Sequence, residues 1–187
     1  MTDHHICPWW LGYLLASPIR KFAQNPTRIL RPYVKEGMVA LDVGPGMGFF
    51  TLPMARLAGE KGSVIAVDIQ EKMLSSLGRR ARRAGLADRI GTRVCTEDSL
   101  GIDGLAGRID FALAFAVLHE LPDIKRTLTE IHRALKPGGL LLIAEPVGHV
   151  RKAAFAETMN VVTSVGFESS VTPRIRRSHA AVVKKIA

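Results

Sequence analysis

Short apolar runs alternate along the chain with longer segments whose apolar residues recur at helical spacing. The apolar runs have the length and composition of buried strands, and they cover residues 40–43, 64–67, 109–115 and 140–143. The clearest helical segment is residues 70–84. Its apolar face would consist of Met73, Leu74, Leu77 and Ala81. This order of elements predicts an α/β fold whose strands are mostly parallel.

Three further helices follow from the same spacing. The first covers residues 48–58, with Pro53 near its start, and the other two begin near Asp123 and near Val150. The helix from Asp123 is expected to bury Ile124, Leu128, Ile131 and Leu135. The helix from Val150 is expected to bury Phe155, Met159 and Val162.

The chain ends in two segments of β character, 167–174 and 178–185, which a short turn at 175–177 joins. Such an arrangement predicts a closing antiparallel hairpin. We therefore expect a single-domain, three-layer α/β sandwich with a seven-stranded, mostly parallel sheet, in which the last two strands form that hairpin.

The first strand runs into a loop that has glycine at every second position. The loop consists of Asp42, Gly44, Pro45, Gly46 and Gly48 with the residues between them. Because glycine has no Cβ, backbone N–H groups of such a loop can approach a ligand closely. A dinucleotide fingerprint would need its third glycine one residue later, where this chain has Phe49. The loop therefore predicts a nucleotide-type cofactor and argues against a dehydrogenase.

Asp68 follows the second apolar run, about 20 residues after the glycine loop, where α/β nucleotide-binding folds place the acid that binds the ribose hydroxyls. An acid that only caps the helix beginning near Gln70 would explain the same residue. Because the acid occurs together with the glycine loop, we prefer the ribose-binding interpretation.

The glycine loop resembles motif I of the class I S-adenosylmethionine (SAM) dependent methyltransferases, in which this loop wraps the methionine part of the cofactor. Later segments resemble the same family in the same order, including Leu-Lys-Pro-Gly-Gly-Leu at 135–140 and Leu-His-Glu-Leu-Pro-Asp at 118–123. The pattern is similar to the methyltransferase type 11 group, which contains quinone, sterol and arsenite methyltransferases. The resemblance covers residues 28–187 and implies the seven-stranded fold, SAM as the cofactor and methyl transfer as the activity.

The resemblance also implies which residues bind the cofactor. An acid after the third strand would bond the adenine amino group, and we prefer Asp98 to Glu97 for that role. The complete predicted cofactor set is Asp42, Gly44, Pro45, Gly46, Gly48, Asp68, Ile69, Asp98, Ser99 and Phe115. The product of the reaction would be S-adenosylhomocysteine.

The segment after the fourth strand lies at the carboxyl edge of the sheet, where open α/β sheets bind their ligands. It supplies His119 as the best candidate for a general base or substrate contact, with Glu120 as its partner. A hydroxyl or acidic carbon acceptor would need such a base, whereas a thiolate, an amine or a metalloid would not. A structural histidine beside a surface acid would explain the same segment. Weaker candidates by the same positional argument are Glu145, His149 and Tyr13.

The N-terminal segment, residues 1–27, contains both tryptophans of the chain. Because later connections are too short to hold a lid, this segment is the candidate helical cover of the substrate site. The predicted substrate residues are Trp9, Trp10, Tyr13 and His149. A helix packed on the edge of the core, or an interfacial membrane helix, would also explain the segment. The methyltransferase domain itself is predicted at residues 28–187.

Composition agrees with one cytoplasmic domain. With 187 residues and 47% hydrophobic content, the chain can bury one substantial core. Its two cysteines, Cys7 and Cys95, have no metal-ligand spacing, which favours a reducing compartment and no resident metal. A metal or soft acceptor near Cys7, His4 and His5 stays open. No apolar run reaches the ~18 residues of a membrane span.

The formal net charge of +9 and the pI of about 10.1 would suit an anionic partner such as RNA or an acidic lipid surface. Much of the excess falls on two arginine clusters that are expected to be solvated. One cluster lies on the predicted helix 70–84 and contains Arg79, Arg80, Arg82 and Arg83. The other lies at the last turn and contains Arg174, Arg176 and Arg177. Nucleic acid is therefore not the favoured partner, and peripheral membrane contact stays open.

Motifs that the chain lacks exclude some classes of methyl acceptor. Ala-Phe-Ala-Val at 114–117 stands where amino-methylating DNA enzymes carry an Asn/Asp-Pro-Pro-Tyr segment, and the chain has no Pro-Cys nucleophile of the cytosine type. We therefore predict methyl transfer from SAM to a small-molecule or lipid-like acceptor. The alternatives are an RNA or protein methyltransferase and a non-catalytic SAM-binding protein.

Overall fold

The computed structural model describes residues 24–186. Within that range the strands are β1 Val39–Val43, β2 Ser63–Asp68, β3 Ile90–Val94, β4 Ile109–Phe115, β5 Leu135–Pro146, β6 Phe167–Val171 and β7 Ser178–Lys185. The α-helices described there are α1 Pro26–Leu30, α2 Thr51–Ala58, α3 Glu71–Arg83, α4 Ile124–Ala134 and α5 Lys152–Ser164. An α-helix separates most consecutive strands, as the alternating pattern predicts.

The strands form one seven-stranded sheet in the order β3-β2-β1-β4-β5-β7-β6. Strands β1 to β5 run parallel to their neighbours. Strand β7 lies antiparallel between β5 and β6. The prediction of a mostly parallel sheet that closes with an antiparallel hairpin is confirmed.

The strand order reverses at the centre of the sheet, because β1 pairs with β2 on one side and with β4 on the other. The chain moves outward from β1 through β2 to β3, and then returns to place β4 against the free side of β1. Loops after β1 and β4 therefore leave in opposite directions and open a crevice at the carboxyl edge of the sheet.

Each face of the sheet carries an apolar core, which gives the three layers that the sequence predicts. One core packs against α2 and α3, and Met54, Leu77 and Phe111 are fully buried there. The other core packs against α4 and α5 and fully buries Leu128 and Ile131. Burial on both faces explains why the central strands read as continuous apolar runs instead of alternating patterns.

Helix α3 confirms the clearest helical prediction, since its four expected apolar residues are buried and Gln70 occupies its N-cap position. Helix α2 begins at Thr51 and not at Gly48, because residues 46–50 continue the glycine loop as turns. Pro53 lies in the first turn of α2, where the missing N–H has no intrahelical partner to lose.

Helix α5 is less buried than its sequence predicts. It begins at Lys152, and of its expected core residues only Val162 is buried, while Phe155 and Met159 are half-buried. Ile124 at the start of α4 is half-buried as well. Helical spacing identifies the inward face of a helix, but the depth of burial depends on how closely the neighbouring elements approach.

Two strand boundaries also differ from the prediction. Leu135 opens β5, although the helical pattern had assigned it to the preceding helix. Strand β6 ends at Val171, before the predicted end at residue 174, because its pairing with β7 shifts register between Ser169 and Val171. Such a register shift follows from contacts between strands and leaves no mark in the local sequence pattern.

The predicted N-terminal cover mostly lies outside the described residues. Six candidate residues of this segment also lie outside the described range. They are the predicted substrate residues Trp9, Trp10 and Tyr13, and His4, His5 and Cys7, where a metal or soft acceptor stayed open. Helix α1 crosses the predicted domain boundary between residues 27 and 28. None of the helices between residues 24 and 186 has the length and apolar character that crossing a bilayer requires.

Candidate functional site

A cavity of about 620 Å³ lies at the carboxyl edge of the sheet, above the crevice at the strand reversal. Residues at the ends of four parallel strands border it, namely Val43, Asp68, Phe115 and Pro146. Its size falls in the range of roughly 300–1,000 Å³ that small-molecule and cofactor sites occupy. The parallel sheet therefore brings the candidate residues to one enclosed place.

Most of the predicted site residues line this cavity. They are Asp42, Gly44, Pro45, Gly46, Asp68, Ile69, Ser99, Phe115, His119, Glu120 and His149. Gly48 and Asp98 belong to the predicted set but do not line it.

Glycines of the loop serve different purposes. All three have positive φ, and a Cβ on Gly44 would lie 2.6 Å from Val117 Cγ2. A Cβ on Gly48 would lie 2.4 Å from Leu77 Cδ1, so this glycine permits close packing against α3 and does not border the cavity. By contrast, a Cβ on Gly46 would meet no atom within 4 Å, although Gly46 lines the cavity. Gly46 is thus the position where a ligand could approach the backbone.

Asp42 lies at the end of β1 and is 2% exposed. The Thr51 hydroxyl donates a 2.6 Å hydrogen bond to its Oδ2. Burial raises the pKa of Asp42 from 3.8 to about 7, the Thr51 hydrogen bond opposes that rise, and the nearby Asp68 charge adds to it. The protein thus holds a carboxyl group near the point of ionisation beneath the glycine loop.

Asp68 lies at the end of β2 and is 8% exposed. The backbone N–H of Gln70 donates to its Oδ1 over 2.9 Å, and the N–H groups of Gly46 and Ile69 donate to the same carboxylate. Burial raises the pKa of Asp68 despite these hydrogen bonds. The carboxylate joins the glycine loop to the end of β2, and with about four acceptor positions it keeps capacity toward the cavity.

Asp98, the acid predicted to bond adenine, does not line the cavity. Its side chain is 86% exposed, and its Oδ1 lies 3.7 Å from Arg126 Nη1. Glu97 lines the cavity together with Thr96 and Ser99. Adjacent acids in a loop after a strand point to different sides, so the sequence could not decide between the two positions.

His119 lies in a short 3-10 turn after β4, and a second carboxylate, Glu145, lies closer to its ring than the predicted partner Glu120. Its Nδ1 lies 2.5 Å from Glu145 Oε2, whereas Glu120 Oε1 lies 3.9 Å from its Nε2. Glu145 is 1% exposed at the end of β5, and its Oε1 accepts a 2.9 Å hydrogen bond from the Leu118 N–H. The hydrogen bond to Glu145 raises the pKa of His119, and burial works against that rise. The His149 ring packs edge-on against the imidazole.

Backbone strain collects at the same cavity. Of the residues between 24 and 186, two that are not glycine have positive φ, Ala116 at 56° and Arg177 at 60°. Both line the cavity, one after β4 and the other just before β7. Left-handed backbone at residues with a Cβ is unfavourable and is found preferentially at functional sites.

Sequence reasoning missed several residues of the site. Thr51 holds Asp42, and Gln24 and Arg177 line the cavity from elements far away in sequence. Arg177 is exposed, as its arginine cluster is predicted to be, and it also lines the cavity. Within the described range, no group of three or more His, Cys, Asp or Glu side chains is arranged to hold a metal ion.

A family model described as a methyltransferase domain matches residues 34–175. The chain belongs to the methyltransferase-domain family. The matched range begins just before β1 and ends at the turn that precedes β7, so it contains the glycine loop, Asp68 and the His119–Glu145 pair.

Curated relatives of this methyltransferase domain act on different acceptors. The chain is 32% identical over 131 residues to a demethylmenaquinone methyltransferase of Staphylococcus saprophyticus, covering 68% of this chain and 54% of that protein. It is 28% identical over 153 residues to a ubiquinone biosynthesis O-methyltransferase of Rhizobium etli, covering 82% and 58%. An arsenite methyltransferase of Aquipseudomonas alcaligenes is 31% identical over 149 residues, covering 76% and 43%. The chain thus spans about half the length of these relatives.

Solved structures with the same fold include a SAM dependent methyltransferase from Aquifex aeolicus. It superimposes with a TM-score of 0.86 at 24% identity, covering 97% of this chain and 100% of that one. The 4+2 cyclase SpnF superimposes with a TM-score of 0.75 at 19% identity, covering 87% and 81%. The methyltransferase domain therefore has a fold that also supports another activity.

Replacing Asp42 by Asn should stabilise the protein at neutral and alkaline pH. Burial raises the Asp42 pKa to about 7, so the folded protein keeps a proton that the unfolded chain releases between about pH 4 and pH 7. Stability is therefore lost as the pH rises through this window, and the neutral asparagine removes that loss. We expect the free energy of unfolding to rise by roughly 2–4 kcal/mol at pH 8 and to change little near pH 4.

Urea unfolding at the two pH values measures this difference. Asp88→Asn, at an exposed acid, is the control and should show no comparable pH dependence. An equal effect of Asp42→Asn at both pH values would contradict the raised pKa of Asp42.

Proposed function

We propose that this protein transfers a methyl group from SAM to a hydroxyl group of a small-molecule or lipid-like acceptor. The observation that carries the proposal is the hydrogen bond between buried Glu145 and His119, because His119 lines the same cavity as the glycine loop and Asp68. His119 is suited to removing a proton from an acceptor, and the glycine loop with Asp68 is suited to binding a nucleotide-type cofactor.

Residues at the β1 and β2 ends fit SAM. The space next to Gly46 admits a ligand against the backbone, and the buried acids Asp42 and Asp68 suit a cofactor that carries positive charge. Asp68 would accept hydrogen bonds from the ribose hydroxyls, and Glu97 would take the adenine role first assigned to Asp98. When bound, SAM supplies an electrophilic methyl group on a positively charged sulfur.

Glu145 determines which nitrogen of His119 can act as a base. Because both Glu145 oxygens are acceptors, one for Leu118 N–H and one for His119, the neutral imidazole carries its proton on Nδ1. The lone pair then lies on Nε2, which could take the proton of an acceptor hydroxyl while the oxygen bonds to the methyl carbon. The bond between that carbon and sulfur would break, its electron pair would stay on sulfur, and S-adenosylhomocysteine would leave. A base in this position typically contributes 10²–10⁴-fold to the rate.

The pair favours a hydroxyl over acceptors that are already nucleophilic. Burying a carboxyl group such as that of Glu145 is unfavourable unless it has partners, and here the partners are His119 and the Leu118 N–H. Thiolates, neutral amines and metalloids need no base, whereas a hydroxyl or an acidic carbon does. The relative named as a ubiquinone biosynthesis O-methyltransferase supports this choice.

The function is tested by incubating the protein with methyl-labelled SAM and a cell extract, and then separating small molecules, lipids, RNA and protein. We expect label in the small-molecule or lipid fraction, as an alkali-stable ether. Label in RNA or protein would favour the corresponding alternative. No transfer, with SAM binding shown separately, would favour a non-catalytic SAM-binding protein.

Replacing Asp68 by Ala should weaken SAM binding by about 1–3 kcal/mol, the range for losing hydrogen bonds to a charged group. Asp98→Ala is the matched control, because Asp98 is exposed and lies outside the cavity. Calorimetry measures both affinities. Equal SAM affinity of the wild type and Asp68→Ala would remove Asp68 from the cofactor site.

Glu145→Gln should reverse the tautomer of His119. Glutamine has one acceptor oxygen, and if Leu118 N–H keeps it, the amide NH₂ faces Nδ1 and forces the imidazole proton onto Nε2. We expect kcat to fall on the order of 10²–10⁴-fold. Because Glu145 raises the His119 pKa, the acidic limb of the pH–rate profile, where His119 is protonated, should also move to lower pH.

The pH–rate profile with the labelled acceptor fraction and nitrogen NMR of the His119 ring measure these two effects. Glu120→Gln is the control, since Glu120 lies 3.9 Å from Nε2 and should shift the profile less. An unchanged tautomer and an unchanged profile in Glu145→Gln would reduce Glu145 to a structural residue.

A further inference from the structure

Arg177 occupies an unusual backbone position in the turn between β6 and β7. The Ser178 N–H donates to the Ile175 carbonyl over 3.1 Å, which closes a four-residue turn. Arg177 is the third residue of this turn and has φ of 60°, the geometry of a type II turn that favours glycine or asparagine there. A residue with a Cβ is unfavourable in this backbone conformation, so the presence of arginine here calls for another explanation.

The turn is fixed at the edge of the cavity. Gln24 Nε2 donates to the Arg176 carbonyl over 3.0 Å and lies 3.2 Å from Ser178 Oγ. The Val147 N–H, just after β5, donates to the Arg177 carbonyl over 3.1 Å. These contacts hold Arg177 beside Pro146 at the cavity wall.

The charge of Arg177 differs from that of the other lining residues. The acids that line the cavity are Asp42, Asp68, Glu97 and Glu120. Arg177 is the one arginine or lysine among the described lining residues, and no carboxylate between residues 24 and 186 forms an ion pair with it. Arg174 and Arg176 of the same turn region are exposed and do not line the cavity.

We infer that Arg177 binds an anionic group, a carboxylate or a phosphate, on the acceptor whose hydroxyl faces His119. The planar guanidinium matches these anions with paired hydrogen bonds. The position agrees with an acceptor role, because Arg177 lies beside the end of β5 while Gly46 and Asp68 lie at the β1 and β2 ends. This inference rests on the proposed function and adds the class of acceptor to it.

The carboxylate of SAM is the other anion that could reach Arg177. Calorimetry with SAM distinguishes the acceptor's anionic group from the SAM carboxylate. If Arg177 contacts the acceptor, Arg177→Gln should bind SAM with the wild-type affinity. A loss of SAM affinity in that variant, absent from the Arg174→Gln control, would assign Arg177 to the cofactor and overturn the inference.

The acceptor class is tested with the small-molecule fraction of a cell extract, divided by anion exchange at pH 8 into retained and unretained pools. Each pool is incubated with the protein and methyl-labelled SAM. We expect label in the retained pool, in products that stay anionic after methylation. With that pool as the acceptor, Arg177→Gln should raise the apparent KM about 10–100-fold with a smaller change in kcat, as expected for a charged hydrogen bond. Arg174→Gln should match the wild type.

Arg177→Gly distinguishes recognition from a structural role. Glycine fits the left-handed backbone, so this variant should melt at or above the wild-type temperature while it loses the retained-pool activity. If Arg177→Gly methylates the retained pool as well as the wild type does, the inference is overturned.

Other outcomes also decide the matter. Label confined to the unretained pool would show an acceptor without an anion. Label released as methanol by mild alkali would show that the carboxylate itself is methylated, which is again against the inference. No label in either pool, with SAM bound, would contradict the proposed function and this inference with it.

Discussion

The reversal of strand order between β1 and β4 is the constraint on which the rest of the molecule depends. Parallel strands place all their carboxyl ends at one edge of the sheet, and the reversal leaves that edge open. The glycine loop, Asp68 and the His119 turn reach the cavity because each directly follows one of these strands. The antiparallel β7 then brings a turn from the end of the chain to the same edge, beside β5.

Charge at this edge is unevenly distributed. Asp42, Asp68 and Glu145 are buried, and each is held by hydrogen bonds within the protein. Burial raises the pKa values of Asp42 and Asp68, because it removes each carboxylate from water. A cationic ligand beside these acids would favour their ionised forms. The site therefore favours positive charge near β1 and β2, while Arg177 makes the β5 side suitable for negative charge.

Features that follow a strand locally were predictable from the sequence, and features that depend on pairing across the fold were not. Asp42 and Asp68 lie at the ends of apolar runs and His119 lies shortly after one, so the predicted strand ends identified them. Glu145 is 26 residues from His119 in sequence, and the contact depends on β4 and β5 being neighbours. Arg177 could be placed in a turn, but only the pairing of β7 with β5 carries that turn to the cavity.

The fold alone does not define the reaction, because a 4+2 cyclase has the same architecture. The proposed cofactor site consists of the glycine loop and the acid after β2, and such a site does not by itself specify a reaction. A fixed imidazole that could accept a proton on Nε2 is a separate feature, because it suits a reaction in which the acceptor loses a proton. Because Glu145 is buried and both of its oxygens have partners, the His119 ring is held in place by the protein itself. The proposal of methyl transfer onto a hydroxyl rests on this fixed ring at the cavity.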